Sequence, residues 1–533
     1  MTELMKRAAS LAPERLRGIR RGIEKESLRV QPDGQLARTP HPAALGSPLT
    51  HPNITTDFSE SQIELVTGVH GQVPACLAEL THIHQTVHRA LAALGGNGQH
   101  DANADAGEML WAASMPCGLP VDEAIPIAQY GASNVGRARR VYRMGLSHRY
   151  GRRMQTISGI HYNWSLPGVT SDQYFGLIRN FRRQAFALLY LFGASPAVCS
   201  TFVAGRQHDL QPLGTNSTLY APWATSLRMG RLGYQSDAQA TLTVSYNDLE
   251  SYAASLQAAL TQPYPPYEAV GIQGPGGDYN QLSTTLLQIE NEFYGTIRPK
   301  RVVSSGERAL HALRERGVEY VEVRVLDLDP FVPIGITADT ARFIDLFLLY
   351  CLLADSPRDS PQEIAEVKRN QQLAAARGRE PGLMLQRGGQ PIALTDWMAE
   401  ILHHLPLLAA VMDAALHEGT AYRDALARIA SLAAAPRQLP AARVLQAITA
   451  QYADRFTAFA LAQSHAARAA IMALPYPDAL RQRFAQLAHA SLDEQARIEA
   501  LDALPFELYR REYVSPARLE PGHGVKALPG GTV

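Results

Sequence analysis

Cysteine is scarce. The 533-residue chain has four, Cys76, Cys117, Cys199 and Cys351, far apart and in no CxxC pair. That argues against a zinc ribbon and a disulfide-built scaffold and fits a reducing, cytoplasmic setting. An excess of one charge is also missing: 50 Lys+Arg balance 50 Asp+Glu, for a formal net charge of +0. A nucleic-acid protein, which draws affinity from neutralising phosphates, is argued against, although a local basic pocket is not. No GxxxxGK[ST] loop occurs and no GxGxxG follows a strand, so neither a P-loop nor a Rossmann site is supported. There is no internal repeat, which counts against a helical interaction module.

Uninterrupted apolar runs are short. "AFALLYLFGASPAVCSTFVAG" (185–205) is free of charge, but Gly193 and Pro196 divide it, predicting a buried helix, a turn and a further core segment. "FIDLFLLYCLLAD" (343–355) carries Asp345 and is too short to span a bilayer. The opening "MTELMKRAASLAPERLRGIRRG" has neither an apolar core nor a cleavage site and reads as an amphipathic surface helix. A soluble protein with no membrane partner is expected.

What is present is a hydrophobic content of 46%, ample for a sizeable core, in a chain long enough for one elaborated domain or two to three units. Strand-like runs ("YVEVRVLDL", "GIHYNWSLP", "ATLTVSY") alternate with helical stretches to about residue 390, an α+β pattern. Alanine- and leucine-rich helical spacing follows. The expected division is a catalytic region at 1–390, helices packed on it at 391–518, and a flexible tail at 519–533. "GGNG" (95–98) and "GIQGPGGDYN" (271–280) mark loops.

Acidic residues recur in patterned groups. In "GIEKESLRV" (22–30), strand parity puts Glu24 and Glu26 on one side with Leu28 and Val30. In "TTDFSESQIELVTGV", a helix capped by Thr55 or Asp57 places Glu60 and Glu64 at i and i+4. In "LLQIENEFYG", strand parity aligns Gln288, Glu290, Glu292 and Tyr294. In "VEYVEVRVLDLD" it aligns Tyr320, Glu322, Arg324 and Leu326 opposite Val321, Val323 and Val325. Each group alone is better explained by a solvated face, since charged residues are mostly exposed. Four of them in one neutral chain favour a site that gathers oxygen ligands, of the kind Mg²⁺ or Mn²⁺ takes around phosphates. Arg137, Arg228, Arg298 and Arg324 are candidates to neutralise phosphate or a substrate carboxylate.

Zinc competes weakly. His84 and His88 stand one turn apart in "THIHQTVH", with His82 nearby, but no HExxH or evident third ligand accompanies them. His161 shares a strand face with Asn163 and Ser165 in "GIHYNWSLP" and is a candidate substrate-binding residue, with a satisfied core histidine as the alternative.

The stretches "RGIEKESLRV", "ALGSPLTHPNITTDFSESQIELVTGV", "SMPCGLP", "AQYGASNVGR", "YGRRMQTISGIHYNWSLP", "YLFGASPAVCSTF", "ATSLRMGRLGY", "LLQIENEFYGTIRPKR" and "VEYVEVRVLDLDPF" together resemble the proteobacterial glutamate–cysteine ligases, also called γ-glutamylcysteine synthetases. The likeness runs from about Gly18 to Leu385 and thins after Pro391. It implies a glutamine-synthetase-like domain, in which a curved, mainly antiparallel sheet forms a funnel surrounded by helices. It also implies ATP as co-substrate with Mg²⁺, Mn²⁺ substituting, and L-glutamate and L-cysteine as substrates of a monomeric enzyme that starts glutathione biosynthesis. By the same match Glu24, Glu26, Asp57, Glu64 and Glu322 form the metal shell, with Glu60 less firmly placed. Glu322 and Arg324 serve catalysis, and Tyr130, Arg228, Tyr234 and Tyr294 surround the cysteine. The lesser alternative is that the tyrosines are core residues with satisfied hydroxyls. A same-fold ligase for another small amine, and a metal-dependent hydrolase needing no ATP, are the rival functions.

Overall fold

The computed structural model describes residues 3–94, 107–215, 217–233, 237–240, 242–304 and 306–522. Tyr234, the "GGNG" loop and residues 523–533 of the tail lie outside them. The strands are β1 (Arg20–Val30), β2 (Ile54–Thr56), β3 (Gln62–Val66), β4 (Met109–Leu110), β5 (Ile160–Ser165), β6 (Ala197–Cys199), β7 (Gln211–Pro212), β8 (Thr218–Tyr220), β9 (Ile297–Lys300), β10 (Tyr320–Leu326), β11 (Met384–Arg387) and β12 (Gln390–Ala393). Seven form the principal sheet, in the order β2-β3-β1-β5-β10-β9 with β4 against β1, and its pairings are antiparallel. The α+β class with a mainly antiparallel sheet and a helical C-terminal part is what the sequence led us to expect.

One face of this sheet is core. Ile23, Tyr162, Trp164, Val321 and Val323 lie in one cluster with side chains of the helices Val73–Ala93, Ser171–Gln184 and Ala338–Leu353. At 25 cal/mol per Å² of apolar surface, burying each large aliphatic side chain stabilises by roughly 1.5–3 kcal/mol. The split apolar run behaves as predicted, as the buried helix Phe186–Phe192, a turn, and β6. The helix Leu394–Leu416 is long and apolar enough to cross a membrane by length and composition. Here Trp397, Ile401, Leu405, Leu408 and Met412 enter the same core cluster as Phe343 and Phe347.

Several local expectations fail. The N-terminal segment is two short helices, Glu3–Ala9 and Pro13–Arg17, because Pro13 starts the second at its first turn. The "ATLTVSY" stretch has no strand in its described part, from Leu242 on, where Val244 and Tyr246 are buried within an irregular segment. The segment with Asp57, Glu60 and Glu64 is a hairpin and not a helix. Thr55 pairs with Glu64 across β2 and β3, and the Asp57 amide donates to the Gln62 carbonyl (3.0 Å). Ile54, Thr55, Thr56 and Ile63 are β-branched, and this preference outweighs a four-residue acidic spacing that either structure can carry. Finally, "LLQIENEFYG" is irregular around the single 3₁₀ turn Glu290–Glu292. Its amides and carboxylates bond to side chains instead of a neighbouring strand: the Gln288 amide donates to Glu292 (2.7 Å) and Arg308 to Glu290 (2.8 Å).

Candidate active site

Strand register decides which side chains meet. Glu26 stands opposite Glu64 on β3, Glu24 opposite His161 on β5, and Asn163 opposite Glu322 on β10, whose other neighbour is Arg298 on β9. Directly paired residues share a sheet face, so these charges line the side away from the core just described. An irregularity between Val323 and Leu326 interrupts the β5–β10 ladder beside Arg324. The Arg324 amide bonds instead to Thr296 (2.9 Å) and its carbonyl receives Arg228 Nη2 (2.9 Å).

Two groups have ligand atoms within 4.8 Å of one another: Glu24, His161 and Glu322, and Glu26, Glu64 and His161. His161 joins them. Its Nδ1 lies 3.0 Å from Glu24 Oε2 and its Nε2 3.7 Å from Glu26 Oε1. Burial and the Arg324 guanidinium lower its pKa, so the ring is neutral at pH 7. With Nδ1–H donating to Glu24, Nε2 keeps a lone pair toward Glu26. Asn163 Nδ2 donates to the other Glu24 oxygen (2.8 Å), and the Gly159 amide donates to Glu26 (2.9 Å).

The carboxylates differ in state. Burial, then the charge of Asp57, raises Glu26 to about 8, and burial with Glu24 and Asp57 pushes Glu64 well above the ordinary range. Burial also acts on Glu322, but Lys300 (3.4 Å) and Arg324 (3.0 Å) hold it well below that range. Glu24 is likewise held down against burial, first by His161. One half of the cluster is therefore short of positive charge while the other has its own cations. A cluster of hard oxygen donors with one imidazole, crowded enough to favour protonation, fits Mg²⁺ or Mn²⁺ better than zinc.

Beyond Arg324 opens a cavity of about 860 Å³. Six arginines (149, 182, 206, 228, 231 and 324) and Lys368 line it, with no acidic residue among the described residues of its lining and with Tyr150, Tyr246, Tyr267, Phe293 and Tyr294 among its aromatic walls. Arg228 reaches it by passing over Gly159, where a Cβ would lie 2.1 Å from the guanidinium, so only glycine leaves the room. The Tyr294 hydroxyl receives Gln155 Nε2 (2.7 Å), and its ring meets Tyr150 edge-on.

The other candidates are placed differently. The Tyr130 hydroxyl donates to the backbone carbonyls of Thr56 (2.7 Å) and Asp57 (3.0 Å), beneath the Arg143 guanidinium. From there it props the turn that carries Asp57. Glu60 accepts the amides of His41 and Gln129 (both 2.8 Å) and joins two loops. Glu290 and Glu292 are paired with Arg308 and Arg149 (both 2.8 Å), while Arg137 is exposed above Phe506. Of the zinc candidates, His84 Nε2 lies 3.0 Å from the Lys25 ammonium and its Nδ1 2.8 Å from the Leu80 carbonyl, so both ring nitrogens are engaged. Sequence reasoning missed Lys300, although parity with Arg298 in "TIRPK" places both on one face. It also missed Arg149, Arg182, Arg206 and Lys368, which converge from separate elements and leave no local signal.

A sheet face that gathers carboxylates around one histidine and shares an arginine with a cationic cavity defines an enzyme acting on small anionic substrates. The family profile described as glutamate–cysteine ligase matches residues 5–374. The glutamate–cysteine ligase of Azotobacter vinelandii is 48% identical over 96% of this chain and 98% of its own, and that of Pseudomonas entomophila 45% over 96% and 97%. The chain belongs to the glutamate–cysteine ligase family. The crystal structure of the Francisella tularensis glutamate–cysteine ligase in complex with AMP superposes with a TM-score of 0.86 at 34% identity, covering 94% of this chain and 98% of that one. A bifunctional glutathione synthetase from Pasteurella multocida shares the fold at 24% identity (TM-score 0.69; 92% of this chain, 58% of that one).

Proposed function

We propose that this ligase joins the γ-carboxylate of L-glutamate to the amine of L-cysteine at the sheet face around His161, using ATP and forming γ-glutamylcysteine, the first step of glutathione biosynthesis. The observation that carries this is the juxtaposition at Arg324: a buried carboxylate cluster on one side and an arginine-lined cavity on the other. The first suits a cation beside a triphosphate, and the second suits anionic phosphate and amino-acid carboxylates. The relatives' name and the AMP in the Francisella complex support the same substrates.

A carboxylate cannot acylate an amine directly, because oxide is too poor a leaving group. The γ-carboxylate of glutamate therefore attacks the γ-phosphorus of ATP, releasing ADP and forming γ-glutamyl phosphate. Arg324, held by Glu322, faces the transferring phosphoryl group and stabilises the charge spread over its oxygens. The cysteine amine, once deprotonated, attacks the acyl carbon, and phosphate leaves. Glu24, Glu26, Glu64 and Glu322, with Asp57 and His161 beside them, would hold Mg²⁺, or Mn²⁺ in its place. Such an ion, when bound, supplies positive charge against the phosphate oxygens. Arg228 and Tyr294, with Tyr234, hold the cysteine zwitterion, and Tyr130 acts through the Asp57 turn. Water must be kept from the acyl phosphate, which would otherwise hydrolyse.

In the same reading residues 1–390 are the catalytic region, 391–518 a helical region supporting it and 519–533 a tail, and the enzyme works as a cytoplasmic monomer without nucleic-acid or membrane partners. Phosphate release from ATP, with glutamate and cysteine omitted in turn, tests the function. Full release should need both, and cysteine should outpace 2-aminobutyrate, serine and glycine. Release independent of glutamate would overturn the acyl-phosphate route.

A further inference from the structure

The strand that carries Glu322 and Arg324 ends beside a carboxylate to which the reaction assigns no part. Asp327 follows β10 directly, and its side chain is fully buried. Its Oδ2 accepts the Ala194 amide (2.9 Å) and the Ser195 hydroxyl (2.6 Å), and its Oδ1 accepts the Ser226 hydroxyl (2.9 Å). The donors come from two segments, the turn at 193–196 and the stretch that carries Arg228. These segments are joined to each other as well: the Ser195 amide donates to the Thr225 carbonyl (3.2 Å) and the Leu227 amide to the Ser195 carbonyl (2.7 Å). A Cβ at Gly193 would lie 2.7 Å from the Thr225 carbonyl, so the glycine that divides the apolar run also permits this close approach. Asp327 is the knot that fastens both segments to the end of β10.

Arg228 is what the knot holds. Its Nη1 stands 3.8 Å from Asp327 Oδ1. That separation is within ion-pair range and beyond hydrogen-bond range, so the carboxylate attracts the guanidinium without occupying its donors. Arg228 is 1% exposed, yet it lines the cavity together with five other arginines and Lys368. Those like charges repel it, and the negative charge behind it opposes the repulsion. Burial pushes the Asp327 carboxyl up, and the Arg228 charge is the first cause acting against that rise.

We propose, on the reading above that Arg228 holds the cysteine zwitterion, that Asp327 is a positioning residue for this substrate: tied by Ala194, Ser195 and Ser226, it fixes the Arg228 guanidinium for the cysteine carboxylate. Charge matters here as well as shape. An Asn side chain can repeat the ties, its oxygen accepting from Ala194 and Ser195 and its amide donating to the Ser226 oxygen. It removes the charge, however, and turns N–H donors toward a guanidinium that has only donors of its own. Arg228 then loses an attraction and gains a repulsion, while the surrounding backbone keeps its bonds.

The test uses the full chain in steady-state kinetics with cysteine varied, and cysteamine, which is cysteine without its carboxylate, as an inhibitor competing with cysteine. Asp327→Asn should raise the cysteine KM about five- to twentyfold with kcat within about threefold, as expected when a hydrogen bond to a charged group is weakened. The cysteamine Ki should stay within about twofold, because no carboxylate contact supports it. Ser226→Ala removes one tie and leaves the charge in place, so it should raise the cysteine KM about two- to fivefold, again without moving the cysteamine Ki. It decides the outcome where Asp327→Asn fails to fold. Cysteine and cysteamine weakening together would give Asp327 a structural role only, and an unchanged cysteine KM would detach it from the site; either result overturns the proposal. Arg228→Gln tells this failure from that of the underlying reading. A raised cysteine KM in Arg228→Gln with none in Asp327→Asn overturns the proposal alone, whereas an unchanged cysteine KM in Arg228→Gln overturns both.

Discussion

The two faces of the principal sheet bury charge in opposite ways. On the core face, Arg21 and Asp345, both fully buried, form an ion pair with 2.9 Å between Arg21 Nη2 and Asp345 Oδ2. Tyr162 (2.9 Å) and Tyr422 (2.8 Å) donate to the same carboxylate. One cation and one anion balance each other in charge, and two hydroxyls satisfy the carboxylate. On the other face, three strands deliver Glu24, Glu26, Glu64 and Glu322 to one place, and burial with mutual repulsion drives Glu26 and Glu64 toward protonation. A balanced buried pair holds structure together, whereas an unbalanced cluster is left with binding energy for a cation that the fold does not itself supply. Strand β1 contributes to both faces: Arg21 and Ile23 face the core while Glu24 and Glu26 face the site.

The largest effect should come from the unbalanced face. Glu26→Gln and Glu322→Gln are each expected to lower kcat by roughly a hundredfold to ten-thousandfold, several kcal/mol of transition-state stabilisation, with Tm close to wild type. Steady-state kinetics paired with thermal melts would show it, and near-normal turnover in either folded variant removes that residue from the metal shell.

Asp345→Asn on the balanced face should do the reverse. It leaves the Arg21 charge buried beside a neutral amide, which costs about 3–5 kcal/mol of stability. Urea unfolding should register that loss while KM for all three substrates stays within about twofold, a spread under 0.5 kcal/mol. A large kinetic defect with unchanged stability would erase the distinction between the faces.

A rim carboxylate calibrates both. Glu307 bonds to Arg316 (2.8 Å) and the Ser304 amide (2.8 Å), and these lower it to about 2 against the opposing pull of burial. Because the folded pKa lies below the unfolded one, the stabilisation is present above the unfolded value near 4.5 and is lost as pH falls toward 2. Arg316 is partly exposed, so water screens the pair, and Glu307→Gln should flatten the acid limb of the stability curve by only about 1–2 kcal/mol. Parallel acid limbs in wild type and variant would show that Glu307 contributes nothing there.

Legibility in the sequence followed the range of the interaction. Parity on β1, β5 and β10 could be read directly, because alternating side chains are a property of each strand alone, and Glu24, Glu26, His161, Glu322 and Arg324 all lie on the face that parity indicated. The hairpin at Asp57–Glu64 could not be read from charge spacing, since four-residue spacing is compatible with a helix face and with a turn between strands. Glu290 and Glu292 looked equivalent to Glu322 in pattern. Arg308 and Arg149, brought from elsewhere in the chain, turned them into structural pairs.

The sequence by itself determined the family, the α+β class, the alternation that sends Glu24, Glu26, His161 and Glu322 to one side of their strands, and the break at Gly193 and Pro196 that makes an apolar run a core element. Each of these depends on neighbours within a few residues, where backbone geometry leaves few choices. Only the tertiary structure decided the rest: that Glu26 faces Glu64 and Glu24 faces His161, and that cations from separate elements line one cavity. Register and packing bring together residues that the chain keeps far apart. The proton affinity of a buried group then depends on which charges stand beside it, a property no short stretch of sequence possesses.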